Sequence, residues 1–184
     1  MFVLSDLLFE GDIRVSPSHI RRLLRSNRNN RQAIKGWTNR WPGGIVPYSF
    51  HSSINSYKKK SIEESIAFWQ RETCIDFNRR TNEEVYLHFV GHDDGCWSTV
   101  GRDEGQKEQW ISIGEGCEAV GTLTLSPIQS IFQLGISSHE IAHALGLFHE
   151  QSRFDRDEFI TLISSRVPRN LLYNFAKVSM SFHS

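Results

Sequence analysis

The chain has 184 residues, of which 39% are hydrophobic and 11% aromatic, and its 21 basic side chains balance 21 acidic ones. This content can bury one sizeable core, and the neutral overall charge gives no sign of the basic surface of a nucleic-acid-binding protein. Because of this neutral charge, we expect no nucleic-acid partner. No apolar stretch is long enough to cross a bilayer, so we also expect no membrane span.

The first 31 residues are polar and rich in arginine after a short apolar start. Met1 to Leu4 is too short for the apolar region of a signal peptide. Gly11 and Asp12 together are typical of a surface turn. Five arginines crowd the segment 21–31, which is either a solvated arm or a cleavage site for a processing protease.

A helix is predicted from Ser61 to near Thr73. Ser61 and Glu64 match a capping box, and apolar residues recur at a spacing of three to four from Ile62 and Ile66 onward. Further along the chain, alternating apolar residues predict two strands, at 85–89 and at 110–113.

The segment 139–150 carries the residues of a zinc site. His139 and His143 are one helical turn apart, so a helix presents both imidazoles from one face. Glu140 lies beside them, where its carboxylate can polarise a water molecule without being a ligand. Gly146 can adopt a positive φ and end the helix, which lets His149 approach from outside it. Three histidines leave a coordination position open, as catalytic zinc sites do.

Two histidines four residues apart could also lie at the border of the polar face of a helix, without any role in metal binding. The glycine and the third histidine at fixed offsets favour the zinc site over that alternative.

The stretch from His139 to Asp157 resembles the astacin branch of the metzincin metalloendopeptidases. Further matching segments follow the family's order, at residues 40–48, 67–69, 73–77, 95–102 and 111–114. The resemblance implies an α+β fold of the metzincin or zincin-like type, with a twisted mixed sheet and an active-site helix. It also implies one Zn²⁺ per chain and a protein or peptide substrate, with His139, His143 and His149 as ligands and Glu140 as the catalytic residue.

The same resemblance divides the chain into a pro-segment, 1–31, and an astacin-like peptidase domain, 32–184. Asp12 then belongs to an aspartate switch that takes the ligand position meant for water. Cleavage after Arg31 by a processing protease would leave Gln32 as the new N-terminus, whose ammonium would pair with Glu150.

Three cysteines occur, at positions 74, 96 and 117. The resemblance implies a disulfide between Cys96 and Cys117, whereas the family partner of Cys74 has no counterpart in this sequence. It further implies that Cys96, Trp97, Ser98 and Thr99 lie on an edge strand that binds an extended peptide. Trp97 could equally be a pocket wall or a core residue.

Two departures from the family pattern bear on activity. About fifteen additional residues precede the zinc motif, and we interpret 123–136 as an insertion, such as a retained intron, that would disturb the ligands. The family also continues into a C-terminal lobe with a methionine turn, which we expect to be largely absent here. Alternating charges at 153–157 are either a solvated face or a network that braces the chain after His149.

We therefore expect a secreted zinc endopeptidase that is made as a latent zymogen, with secretion inferred from the family and from the disulfide that it implies. The alternatives are a catalytically inactive zinc-binding or partner-binding protein of the same type, or an incomplete gene model.

Overall fold

The computed structural model describes residues 8–16, 40–115, 117 and 127–177. In these ranges seven strands form one sheet, and two α-helices pack against each other and against the sheet. The strands are β1 Leu8–Phe9, β2 Ile13–Arg14, β3 Ile45–Phe50, β4 Asp76–Arg79, β5 Tyr86–Val90, β6 Cys96–Thr99 and β7 Glu108–Ile113. The helices are α1 Ser56–Glu72 and α2 Pro127–Ala144, and short 3₁₀ turns follow α2. No helix within the described ranges is both long and apolar enough to span a bilayer.

The sheet is mixed, with the strand order β1-β2-β6-β7-β5-β3-β4. Strands β4, β3, β5 and β7 run parallel, whereas β6 is antiparallel to β7. The segment 8–16 adds β1 and β2 beyond β6, and β2 runs parallel to β6. The mixed sheet and the two helices confirm the predicted α+β class.

Helix α1 begins earlier than predicted. The side chain of Asn55 accepts a hydrogen bond from the backbone N–H of Lys58 at 2.9 Å and therefore caps the helix well before Ser61. Ser61 is buried within the helix, and its hydroxyl lies 3.1 Å from that of Ser137 on α2. The predicted start at Ser61 was wrong because a capping motif inside a helix looks the same in sequence as one at its end.

The core lies between the sheet and the two helices. Ile62 of α1 and Ile141 of α2 are fully buried against β-strand residues such as Leu87. Burying a side chain of this size contributes roughly 1.5–3 kcal/mol, so a few such contacts fix the helices on the sheet. The indole N–H of Trp41 also donates to the carbonyl of Ala144 at 2.9 Å, which anchors the end of α2.

The segment preceding the zinc motif is helical from residue 127 onward. Its backbone is tied to α1, because the Ser65 hydroxyl donates to the carbonyl of Leu134 at 3.1 Å. The Trp69 indole N–H likewise donates to the Ser138 hydroxyl at 3.1 Å. The helix therefore continues through this segment into the histidine motif, and the expected disturbance of the ligands is not observed. Residues 123–126 lie outside the described ranges.

A disulfide joins Cys96 at the start of β6 to Cys117 after β7, as the family resemblance implied, and Cys74 is an exposed free thiol. The bond closes a loop between residues 21 positions apart.

We expect Cys117→Ser to lower the free energy of unfolding by about 3 kcal/mol, because the open loop gains entropy in the unfolded chain. Denaturant unfolding measures this, with Cys74→Ser as the matched control. Equal midpoints for the two variants would contradict the expectation.

Candidate metal centre

Three imidazole nitrogens converge at the end of helix α2. The Nε2 atoms of His139 and His143 are 3.1 Å apart, and those of His139 and His149 are 3.2 Å apart. His139 and His143 project from the last turns of the helix. Gly146 has a φ of 106°, so the chain turns back after the helix and carries His149 to the other two rings. The three predicted ligands are therefore brought together as expected.

Asp12 supplies a fourth ligand atom. Its Oδ2 lies 3.0 Å from Nε2 of His139 and 3.2 Å from Nε2 of His149. All four ligand atoms lie within 4.8 Å of one another. A tetrahedral zinc ion with bonds of about 2.0–2.1 Å places its ligand atoms about 3.3–3.4 Å apart. The spacing and the donor set of three imidazoles and one carboxylate fit zinc.

The outer nitrogens of two of these rings are also engaged. Nδ1 of His143 lies 2.8 Å from the carbonyl of Leu147, to which it can only donate. Nδ1 of His149 lies 2.8 Å from a carboxylate oxygen of Glu10. Both contacts leave the Nε2 lone pair directed at the shared centre, which is the tautomer that a metal ligand needs.

Glu140 is buried beside the three histidines, with 2% of its surface exposed. Its Oε2 has no hydrogen-bond partner among the described residues. Burial raises the pKa of its carboxyl to about 9, and the negative charge of Asp12 adds to this rise. Burial and the neighbouring carboxylate of Asp12 thus both favour the protonated form of Glu140.

Asp12 and His149 stabilise each other's charged forms. Burial alone would raise the pKa of Asp12, but its hydrogen bonds to the three histidines hold that pKa well below the ordinary value. For His149, burial favours the neutral ring, yet the hydrogen bonds to Asp12 and Glu10 outweigh it and raise the pKa to about 9. Carboxylates that favour a proton on this ring also favour a metal cation at the same position.

Strand β2 places Asp12 at the histidines by pairing with β6. The backbone N–H of Ser98 donates to the carbonyl of Asp12 at 2.9 Å. The guanidinium of Arg14 lies 4.7 Å from the centre of the Trp97 ring, a cation–π contact. Trp97 is buried, with 5% of its surface exposed, and its ring contacts segment 8–16 through Arg14. The predicted edge strand is thus covered by β2.

A further contact holds the end of segment 8–16. The hydroxyl of Ser16 donates to Oδ2 of Asp103 at 2.5 Å, and Asp103 is fully buried. The backbone N–H groups of Asp103 and Gly105 and the side chain of Gln109 form the surrounding hydrogen bonds. Segment 8–16 is therefore attached at two places, near the metal centre and at the 100–106 loop.

The chain after His149 is braced by its charged residues. Arg153 donates to both carboxylate oxygens of Asp155 at 2.7 Å each. The largely buried Arg156 donates to the carbonyls of Gln151 and Phe175, which ties this turn to the end of the described chain. These contacts favour the bracing network over a solvated face.

Of the three residues predicted to act in the activation step, the structure describes Glu150. Glu150 is exposed and forms an ion pair with Arg153 at 3.2 Å. Arg31 and Gln32 lie outside the described residues, so the predicted cleavage and the predicted ammonium pairing stay predictions.

Sequence reasoning missed Glu10, the partner of His149. The sequence could have indicated it, because Glu10 directly precedes Gly11 and Asp12 and a residue of the same turn lies near the site that Asp12 occupies. It also missed Asn174, whose side-chain amide lies 3.3 Å from the position that a Cβ on Gly11 would take.

Comparisons with known proteins agree with this geometry. Residues 33–184 match the model of the astacin family of peptidases. Zinc metalloproteinase nas-29 of Caenorhabditis elegans is 41% identical over 198 residues, which covers 95% of this chain and 35% of the relative. Zinc metalloproteinase nas-23 of the same organism is 42% identical over 181 residues, covering 94% and 31%. The chain spans about a third of the length of these relatives.

A solved structure is similar as well. High choriolytic enzyme 1, a hatching enzyme zinc-protease from the medaka fish Oryzias latipes, superposes with a TM-score of 0.61 at 32% sequence identity. The match covers 80% of this chain and 69% of that one. The family model matches most of the chain, and the relatives and the solved structure agree with that match. This chain therefore belongs to the astacin family of metalloproteinases.

Proposed function

We propose that this protein is a secreted zinc-dependent endopeptidase that is made as a latent zymogen. The observation that carries the proposal is the convergence of three Nε2 atoms at 3.1–3.2 Å beside a buried glutamate. Secretion is proposed from membership of the family together with the Cys96–Cys117 disulfide, which is typical of an oxidising compartment.

His139, His143 and His149 would hold the zinc ion. When bound, zinc supplies a water molecule whose pKa is lowered towards 7 and a Lewis acid that polarises the scissile carbonyl. Glu140 follows His139 on the same helix, and its Oε2 is the atom proposed to take the proton from water. The same carboxyl then passes the proton to the leaving amine.

Strand β6 is proposed to hold the substrate. Its edge binds an extended backbone in the uncut chain, because Ser98 donates to the Asp12 carbonyl and β2 pairs along Ser98 and Thr99. Backbone pairing of this kind tolerates many sequences, which suits an enzyme that cleaves within protein chains. Trp97 would then contact a substrate side chain where it now contacts Arg14.

Latency is proposed to result from Asp12. Its carboxylate occupies the position that water needs, and its negative charge adds to the raised pKa of Glu140. Cleavage after Arg31 by a processing protease would release the pro-segment and leave Gln32 as the N-terminus. Glu150, which is exposed and paired with Arg153 in the uncut chain, is the proposed partner of that new ammonium.

The proposal is tested with the full chain after trimming at Arg31, with the new N-terminus verified by mass spectrometry. We expect cleavage at internal bonds of unstructured proteins, loss of this activity with a zinc chelator, and its return on addition of Zn²⁺. Stoichiometric zinc without peptide cleavage would instead support the inactive zinc-binding alternative. Cleavage that persists in excess chelator would refute a zinc mechanism.

A further inference from the structure

We propose that Glu10 is a positioning residue for the metal centre: its carboxylate orients His149, so that the uncut chain holds zinc more tightly than Asp12 alone would achieve. The inference rests on the proposed zinc site and pro-segment. It adds a metal-retaining role that the pro-segment exerts through a residue that is not itself a ligand.

The contact between the two side chains is short and shielded from water. Oε2 of Glu10 lies 2.8 Å from Nδ1 of His149, and the two side chains are 4% and 7% exposed. A charge-assisted hydrogen bond in such surroundings is stronger than the same bond at the surface. It fixes both the tautomer and the rotation of the ring, because Nδ1 must carry the proton and must point at Glu10.

The metal centre depends on the pro-segment unequally from one histidine to the next. His143 has its outer nitrogen bound by the carbonyl of Leu147, which belongs to the same peptidase domain. His149 has its outer nitrogen bound by Glu10, which departs with the pro-segment. His149 is also the ligand that follows the helix, so its position depends on a turn rather than on helical hydrogen bonds. A hydrogen bond to the outer nitrogen of a metal-bound histidine fixes the orientation of its ring.

The backbone at Glu10 is held in an unusual conformation for this contact. Glu10 has a φ of 55°, the one positive value at a non-glycine residue in the described part of the chain. A residue other than glycine rarely adopts this region, and keeps it only where its surroundings impose it. Here Gly11, with a φ of 96°, completes the turn, and the side chain of Asn174 closes against it. The turn thus directs Glu10 and Asp12 at the same centre.

The test compares zinc release from the uncut parent and from uncut Glu10→Gln, each loaded with one Zn²⁺ and mixed with a chromogenic chelator. Glutamine keeps the size of the side chain and removes its charge, while Asp12 stays in place. Loss of a carboxylate behind a metal-bound histidine lowers metal affinity by roughly 10–100-fold. We expect zinc release from the variant to be faster by about this factor.

Two controls separate orientation of His149 from general loosening of the pro-segment. Ser16→Ala removes the contact with Asp103 at the other end of segment 8–16, and we expect zinc release close to that of the parent. After trimming at Arg31, the parent and Glu10→Gln have the same sequence and must release zinc at the same rate. Circular dichroism of the uncut proteins checks that each variant is folded, and Glu10→Asp, which keeps the charge, should restore part of the retention.

Equal release rates for the uncut parent and Glu10→Gln would overturn the inference, as would an equal acceleration by Ser16→Ala. The assay needs no peptide turnover, so a protein that retains zinc through Glu10 but cleaves nothing would support this inference while refuting the proposed peptidase. Failure of every form to bind zinc would overturn both.

Discussion

Glu140→Gln in the trimmed protein is expected to lower peptide turnover by about 10²–10⁴-fold, the usual contribution of a general base. Glutamine has nearly the shape of glutamate but cannot take a proton from water at neutral pH. The three imidazoles do not depend on this side chain for their position, so zinc should stay bound. The rate of cleavage of an internally quenched peptide and the zinc content of the same sample together measure both effects.

A matched control separates this role from a general effect of removing a carboxylate. Glu64→Gln makes the same chemical change on α1, where Glu64 is exposed and, among the described residues, forms an ion pair with Lys60 at 3.8 Å. Exposed pairs of this kind contribute at most about 1 kcal/mol, so turnover should be close to that of the parent. Comparable turnover in both variants would remove Glu140 from the proposed mechanism.

Asp12→Ala in the uncut chain is expected to raise peptide turnover by at least about tenfold over the uncut parent. Asp12 closes the centre through contacts with three histidines, the closest at 3.0 Å. One hydrogen bond to a charged group contributes roughly 1.5–3 kcal/mol, and roughly 1.4 kcal/mol changes an equilibrium tenfold. Loss of the carboxylate should therefore shift the pro-segment from closed to open by at least this factor.

The trimmed forms of this pair provide the internal control. Residue 12 leaves with the pro-segment, so both trimmed proteins have one sequence and should show one rate. An uncut Asp12→Ala chain as inactive as the uncut parent would show that latency comes from elsewhere, such as the covering of β6 by β2.

Much of the metal centre could be predicted because its geometry is local. The pitch of one helix places His139 and His143 on the same face, and Gly146 predicts the turn that brings His149 to them. The positive φ of 106° at that glycine is what the prediction required. Strands β5 and β7 were predicted for the same reason, since alternation along a strand needs no knowledge of distant residues.

The features that could not be predicted from the sequence depend on contacts between distant segments. Strand β3 lies inside the sheet although it contains Pro47, which lacks a backbone N–H and interrupts the usual strand pattern. Glu10 binds His149 across 139 positions of sequence, and no spacing rule connects two such residues. The start of α1 was misplaced because Asn55 and Ser61 both carry capping side chains, and only the fold decides between them.

Zinc K-edge X-ray absorption of the uncut chain can decide whether His139, His143, His149 and Asp12 together hold one zinc ion. We expect four nitrogen or oxygen atoms around the zinc at about 2.0–2.1 Å, with the multiple scattering of three imidazoles. A sulfur neighbour at about 2.3 Å, or a shell without imidazole scattering, would contradict it.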